Sequence, residues 1–385
     1  MHGVKRLFSW LLPRFDPDRV QAALVSLRRK DVSSEALENA GVDITYLGRS
    51  KFDPRTLTAL LAVVDRFQPD VLHLHNYGAT NFGRIAAMLR GLPAIVHEHI
   101  NLGRAPWYQK VADRALEPLT DIALAVSEST AEFMRTERQL PAHKVRVVYL
   151  GAPLEEFGRQ RTPEEIETAR QSLGLSNDGP VVGTVTRLHE AKGNEYLIRA
   201  MPDVLARRPD ARLVIVGEGP LREPLEAEAR QLGVADRVHF AGFQPDAGSA
   251  LATFDVAVFP SLFEGTPLTA FEALAMGKAI VATDADGLQE ILTDGVNARI
   301  VPRRDPAALA TRIAELLEQP AERARLAEGA RSAGREYDIA ALVRRLERLY
   351  EVLADTRRRT TRRGAVLEED LSFLDSRVPS AATAE

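Results

Sequence analysis

Two series of short apolar runs, each alternating with helix-length segments, constrain the fold of this 385-residue chain more than any other feature. In the first half the runs are Ala22–Leu27, Val42–Leu47, Val71–His75, Ala94–His99, Ile122–Ser127 and Val145–Tyr149. Helical patterns such as Pro54–Phe67, Gly83–Arg90 and Ser129–Gln139 lie between them. The second series is Val181–Thr186, Arg212–Val216, Val238–Ala241, Val256–Phe259, Ala279–Thr283 and Ala298–Val301, with amphipathic stretches at Asn194–Arg207 and Pro220–Leu232. Runs that are apolar on both faces and alternate with helices belong to parallel sheets covered on both sides. The chain therefore reads as two doubly wound, Rossmann-like α/β domains in tandem, joined through the turn-rich stretch Gly151–Pro180. The expected divisions are residues 1–160, residues 161–336, a closing helix over 337–354 that packs back on the first domain, and a disordered tail over 355–385.

Composition narrows the function classes. A hydrophobic content of 45% is ample for two cores, and a formal charge of −4 gives no overall attraction to nucleic acid. With no cysteine, the chain has no disulfide, thiolate metal site or cysteine nucleophile. No apolar run is long enough to read as a membrane-spanning helix.

The chain opens on a helical pattern, Val4, Leu7, Phe8, Leu11 and Leu12, directly after His2-Gly3. In a doubly wound sheet a strand and a glycine-containing turn precede such a helix, and that strand is central. The expectation is that the first strand of the N-terminal domain is missing, leaving unpaired edges inside the sheet, and that the start lies late by roughly fifteen residues, one strand and a turn. A true truncation is the alternative. The basic and bulky residues Lys5, Arg6, Phe8, Trp10, Leu11, Leu12, Arg14 and Phe15 suit either an interfacial helix or a core helix, and the core reading is preferred.

The chemistry-bearing stretch of the second half runs from Pro260 through Glu264, Pro267 and Glu272 to Gly277. Phe254–Phe259 reads as a buried strand, Thr266 as an N-cap, Pro267 as the first helical residue and Gly277 as the stop. The N–H groups around Leu268 and Thr269 then lack intrahelical acceptors and suit a phosphate. Glu264 before this helix and Glu272 one turn into it could bracket a phosphate with hydroxyl-rich groups at both ends, the shape of a nucleotide sugar. Upstream, Arg187 and Lys192 follow a strand and could reach the same diphosphate. Gly217-Glu-Gly219-Pro220 is a strand-to-helix turn, but Arg222 stands where the dinucleotide fingerprint needs glycine, which disfavours a dehydrogenase. In the first half, His73 and His75, then His97 and His99, sit at two carboxyl strand ends, where ligands of such sheets bind. Hydrogen-bonding or acid–base work suits them better than a metal, because no Asp or Cys cluster accompanies them.

Together these stretches resemble glycosyltransferase family 4, the glycosyl transferases group 1 family of GT-B fold, in which two Rossmann-like domains face a cleft. The resemblance covers His2-Gly3 to about Tyr350. It rests on Pro260-Ser-Leu-Phe-Glu-Gly-Thr-Pro with Glu272, on Arg187-Leu-His-Glu-Ala-Lys-Gly193, and on Gly217-Glu-Gly-Pro220. It implies that the second domain binds a UDP- or GDP-sugar, with Glu264 on the sugar hydroxyls, Glu272 on the ribose, and Leu268 and Thr269 at the diphosphate. Arg187 and Lys192 would neutralise the leaving phosphate. Gly217 and Phe243 would lie near the base, and Gly3 in the acceptor-side turn. His99 matches the histidine that reaches across the cleft to the transferred sugar, with His97 as second choice. The family retains anomeric configuration and generally needs no metal or other cofactor. His2 departs from the family's usual glycine.

The leading expectation is thus a retaining glycosyltransferase that uses a nucleotide sugar and a saccharide or lipid-linked acceptor in cell-surface polysaccharide or glycolipid synthesis. It would be cytoplasmic, with peripheral contact at the inner face of the membrane. An inactive nucleotide-sugar-binding homologue and a sugar-nucleotide epimerase are the competing readings.

Overall fold

The computed structural model describes residues 3–31, 34–101, 103–175, 179–360 and 365–375. It divides into two compact units: Met1–Leu150 together with Ile339–Ala381, and the intervening Gly151–Asp338. The first division thus lies at Leu150, ten residues before the expected boundary, because Gly151 and Ala152 bond within the second unit. The N–H of Ala152 donates to the Tyr337 carbonyl at 3.0 Å, and a Cβ on Gly151 would stand 2.1 Å from that same oxygen.

Among the described residues the first unit holds six parallel strands in two sheets. Strands β1 (Leu24–Ser26) and β2 (Ile44–Tyr46) pair with each other. Strands β3 (Leu72–His75), β4 (Ala94–Glu98), β5 (Ile122–Ala125) and β6 (Val145–Val147) form a second sheet in that order. Among the described residues nothing bonds the pair to the four-stranded sheet, in which β3 is an edge strand. Strands β4 and β5 are buried along their whole length, which is why Ala94–Val96 and Ile122–Ala125 read as unbroken apolar runs rather than alternating ones.

The opening helix Gly3–Leu11 buries Leu7, Trp10 and Leu11. Phe8 sets its edge against the His75 ring with centroids 4.7 Å apart, and Lys5 donates to Asp31 at 2.5 Å. It is a core helix. The closing helix Ile339–Arg359 belongs to the same unit: Glu347 takes the Asp16 N–H at 2.8 Å and the Arg19 guanidinium at 2.7 Å.

That helix overruns the expected tail boundary by five residues. After it, Ala365, Val366, Leu371 and Leu374 are buried, and the Arg348 guanidinium lies 4.4 Å over the Phe373 ring. The expectation of disorder beyond residue 355 is therefore corrected for 355–360 and 365–375. Four apolar side chains among charged ones are enough to seat this segment, although they show no helical period. The rest of the tail, like His2, lies outside the described residues.

The second unit carries β7 (Val181–Val185), β8 (Arg212–Val216), β9 (Val238–Gly242), β10 (Val256–Phe259), β11 (Ala279–Thr283) and β12 (Arg299–Val301). All six are parallel, in the order β12-β11-β10-β7-β8-β9. This is the doubly wound order, whose direction reverses between β7 and β10. Gly183 in β7 is required by close packing: a Cβ there would stand 2.3 Å from the Phe254 ring. Helices Asn194–Arg207 and Pro306–Glu318 cover one face of the sheet through Leu197, Met201, Leu309 and Ile313, all fully buried.

Candidate functional site

Ligands of doubly wound sheets bind outside the carboxyl ends of the strands at the point of reversal. In the second unit that point is the pair of loops after β7 and β10, and they carry Arg187, Lys192 and Glu264. The two loops are joined by their backbones. The N–H groups of Leu262 and Phe263 donate to the Ala191 carbonyl at 2.9 and 3.3 Å. Gly193 (φ 61°) allows the approach, since a Cβ there would stand 2.0 Å from the Pro260 carbonyl oxygen.

Lys192 donates its ammonium to Glu264 Oε1, and the Ser261 hydroxyl donates to the same oxygen at 2.8 Å. Glu264 is only 7% exposed, so its carboxylate is held by these two donors rather than by bulk water. The strand-β11 side locks the loop from below: Thr283 Oγ1 donates to the Ser261 carbonyl at 2.5 Å, and Arg303 donates to the Leu262 carbonyl at 3.0 Å. Arg187 is exposed and has no carboxylate within ion-pair distance among the described residues, which leaves its guanidinium for an anion.

The helix after this loop begins one residue later than the sequence suggests. Pro267 is the N-cap (ψ 131°) and Leu268 the first helical residue, so Thr266 is not the cap. The extended conformation of Pro267 explains the shift. Ala270 already donates to the Pro267 carbonyl at 3.0 Å, which leaves the N–H groups of Leu268 and Thr269 as the first-turn donors facing outward along the axis. Glu272 is fully buried one turn further on. The helix ends at Gly277, as expected: its φ is +62° and its N–H donates to the Leu274 carbonyl at 2.9 Å.

Gly217 at the end of β8 has φ 135°, and a Cβ would stand 1.8 Å from the Thr186 carbonyl oxygen. Its N–H donates to the Gly242 carbonyl at 2.8 Å, which places the half-exposed Phe243 beside the β8 end. The structure thus gathers Arg187, Lys192, Glu264, Leu268, Thr269, Glu272, Gly217 and Phe243 at one edge of one sheet. Gly3 is exposed in the opening helix of the first unit, with nothing within 4 Å of a Cβ placed there.

Two residues of the second-unit site escape the sequence reading. Ser261 shares the Glu264 carboxylate, and only the fold shows that it does. Asn194 is 2% exposed, and neither amide atom has a partner among the described residues. In the structure Gly193 is the cap, and Asn194 turns inward as the first helical residue.

In the first unit, β3 and β4 place four imidazoles on one sheet face. His73 Nε2 and His97 Nδ1 are 3.1 Å apart, His75 Nδ1 and His99 Nε2 2.8 Å, and His73 Nδ1 meets the Tyr350 hydroxyl at 2.7 Å. The parallel register that pairs His75 with His97 brings this about. Ring nitrogens of His73, His75 and His97 lie within 4.8 Å of one another, close enough to ligate one transition-metal ion, so these are the residues that could hold a metal.

Beside them lies a buried charge network. Arg138 forks onto Asp113 with both bonds at 2.8 Å and donates to Glu98 at 2.7 Å; Arg84 donates to the same Asp113 at 2.6 Å. Glu98 in turn accepts the His99 N–H at 3.1 Å. Burial pushes the Glu98 carboxyl up, against the opposing pull of Arg138. The network thereby fixes the backbone from which His99 projects. No local pattern announces it, because its members lie on four separate elements.

Burial, reinforced by neighbouring imidazoles, holds His73, His75 and His97 well below the ordinary histidine pKa, and burial alone brings His99 to about 4. Unfolded histidines protonate near 6.5, so below that pH the unfolded chain binds more protons. Stability is complete above about pH 6.5 and falls as the pH drops toward 4, by up to about 1.4 kcal/mol per pH unit for each imidazole held neutral. Urea midpoints between pH 7.5 and 4.5 should show this slope, and His99→Gln should reduce it by one proton. A midpoint independent of pH would contradict buried neutral imidazoles.

The second-unit site brings together two cations, a helix N-terminus and two buried carboxylates. Comparison with known proteins identifies the family. Residues 3–156 match the family model described as Glycosyltransferase Family 4, and residues 165–333 match Glycosyl transferases group 1. The chain is 31% identical over 319 residues to D-inositol 3-phosphate glycosyltransferase 2 of Catenulispora acidiphila, covering 74% of this chain and 73% of that one. It is 33% identical over 259 residues to an uncharacterized glycosyltransferase of Methanocaldococcus jannaschii, covering 64% of this chain and 65% of the relative. Among solved structures, Anabaena HepE in complex with UDP and glucose superposes with a TM-score of 0.78 at 21% identity, covering 91% of this chain and 96% of that one. The loop of Glu264 and Lys192 at the strand reversal, the doubly wound sheet around it and the two family matches agree: this chain belongs to glycosyltransferase family 4, the GT-B glycosyl transferases group 1.

Proposed function

We propose that this protein is a retaining transferase that moves a sugar from a UDP- or GDP-sugar to a saccharide or lipid-linked acceptor in polysaccharide or glycolipid synthesis. The observation that carries the reading is the clamp of Lys192, Glu264, Arg187 and the Leu268–Thr269 helix start at the strand reversal. A nucleoside diphosphate presents two negative groups to cations and helix N–H donors, while its ribose and sugar present hydroxyls to carboxylates at either side. Glu264 is assigned to the sugar hydroxyls, Glu272 to the ribose, and Gly217 and Phe243 to the edge where the base lies. His99 is assigned to hydrogen bonding with a sugar hydroxyl. Retention of anomeric configuration follows the family. The UDP and glucose held by HepE support a nucleotide-sugar donor, and the similarity to the phosphatidyl-myo-inositol mannosyltransferase of Mycobacterium leprae supports a lipid-linked acceptor. Among the described residues no helix is long and apolar enough to cross a membrane.

The test is a thermal-shift screen of UDP- and GDP-sugars followed by transfer assays. A ligand at 100 times its Kd stabilises by about 2.7 kcal/mol, enough for a clear rise in Tm. The matching donor should give this shift, and Glu272→Ala should abolish it by removing the ribose acceptor. A shift that survives Glu272→Ala unchanged would refute the ribose assignment. Binding without transfer or hydrolysis would favour an inactive homologue.

A further inference from the structure

The stacked imidazoles of the first unit hold more coordinating nitrogen than hydrogen bonding to one sugar hydroxyl requires. His73 and His75 flank Leu74 in β3, and His97 and His99 flank Glu98 at the end of β4, so alternation along each strand puts the rings on one side. The parallel register sets His75 opposite His97 and His73 opposite Ile95. Three of the rings are therefore carried by paired strands rather than by a loop. One ring nitrogen from each of His73, His75 and His97 lies within 4.8 Å of the others. Among the described residues no other group of histidine, aspartate and glutamate side chains converges in this way.

Hydrogen bonds between the rings do not use up this capacity. His73 Nε2 and His97 Nδ1 are 3.1 Å apart, His75 Nδ1 and His99 Nε2 2.8 Å, and within each pair one nitrogen can donate to the other. His97 Nε2 is left over: the residue is 1% exposed, and this atom has no hydrogen-bond partner among the described residues. A buried ring nitrogen without a partner is costly whether it carries a proton or a lone pair. His73 is held from the other side, since its Nδ1 meets the Tyr350 hydroxyl at 2.7 Å while its Nε2 faces His97. A ring that gives one N–H to an oxygen and turns its other nitrogen toward further donors has the arrangement of a metal-ligating histidine.

We propose that His73, His75 and His97 bind one divalent transition-metal ion, zinc by the chemistry of the set, with a water in the fourth position and the Tyr350 hydroxyl orienting His73. Three imidazoles make a zinc site without any carboxylate or thiolate, so the lack of Asp and Cys neighbours does not count against it. An all-nitrogen set does not suit magnesium or calcium, which take oxygen ligands. The adjacent carboxylate, Glu98, alternates to the other face and is engaged by Arg138 at 2.7 Å. Nitrogens around a tetrahedral zinc stand about 3.3 Å apart, so loading draws the rings inward by rotation about their broad χ2 torsions. His73 and His75 are half-buried, which gives the ion a path from solvent. Because β3 is the edge strand of its sheet, the ion would tie its end to β4; no step of sugar transfer is asked of it. The assignment stands independently of the donor reading, because it is tested without any nucleotide sugar.

The test uses the full chain, untagged and stripped with a chelator, then titrated with zinc chloride or with magnesium chloride. Zinc should bind at one ion per chain and raise Tm as its concentration rises, and magnesium should do neither. X-ray absorption at the zinc edge of the parent chain should show three imidazole nitrogens at about 2.0–2.1 Å, a readout that needs no variant to fold. Tyr350→Phe should weaken zinc binding by about 10–100-fold, and His97→Gln should weaken it further. Circular dichroism of each variant verifies that it is folded. The proposal is overturned if less than one zinc binds per chain, if oxygen dominates the shell around the ion, or if either variant binds zinc as the parent does. An equal rise in Tm with magnesium would mark a general ionic effect and equally overturn it.

Discussion

Lys192→Ala should lower transfer by about 10²–10³-fold while leaving the second unit folded. Breaking the donor's sugar–phosphate bond builds negative charge on the departing diphosphate, and a cation already in place stabilises that charge without reorganising. The proposed function makes Lys192 that cation, and it is preplaced: Gly193 and the Leu262–Ala191 hydrogen bond hold its loop, and Glu264 holds its ammonium. Since the charge grows toward the transition state, kcat should fall more than KM rises. Lys192→Arg should recover part of the loss, because it restores charge but not the compact ammonium geometry. Glu264 loses its cation in this variant and retains the Ser261 hydroxyl as donor, so urea denaturation of the variant is the measurement that separates a catalytic loss from a folding effect. Steady-state kinetics on the variant decide the matter, and an unchanged kcat/KM would remove Lys192 from the diphosphate site. Arg187, exposed and without a carboxylate partner among the described residues, is the second cation of the same assignment.

Arg138→Leu should destabilise the first unit by about 3–5 kcal/mol, the cost of removing one partner from a buried ion pair. Arg138 and Asp113 are both 0% exposed, and the leucine would leave Asp113 with Arg84 alone and Glu98 without its guanidinium. A variant that also carries Glu98→Gln should regain part of the loss, because the carboxylate stranded by the leucine is then neutral. That recovery distinguishes a stranded charge from a simple packing defect. Urea denaturation followed on the first unit's transition is the measurement, and a loss below about 1 kcal/mol would place the network in water-like surroundings. The effect should reach the chemistry too, since Glu98 anchors the His99 N–H.

The two predictions differ in how far the sequence announces them. Lys192 and Glu264 stand out in a linear reading because each lies just past a strand, and strand ends converge in any parallel sheet. The strands themselves were equally legible: β5 and β11 are buried along their length, so their apolar runs carry no ambiguity of face. The turn glycines 217 and 277 could be placed for the same reason, since each is required by a local backbone conformation.

What the linear reading misplaced was set by neighbours distant in sequence. Thr266 is displaced as N-cap by the extended Pro267, and the division of the chain falls at Leu150 because Gly151 packs on Tyr337. The tail beyond residue 355 looks too polar to fold, yet Leu371 and Leu374 find a surface to cover.

The sequence by itself thus determined the two parallel α/β units, the strand-end positions of the clamp and the family, because these follow from periodicity and local backbone chemistry. Only the tertiary structure decided which side chains meet. The Ser261–Glu264–Lys192 group, the inward turn of Asn194, the stack of four histidines and the Arg138 network join residues from separate elements. Their partners are chosen by strand register and helix packing, and those long-range contacts leave no local pattern in the chain.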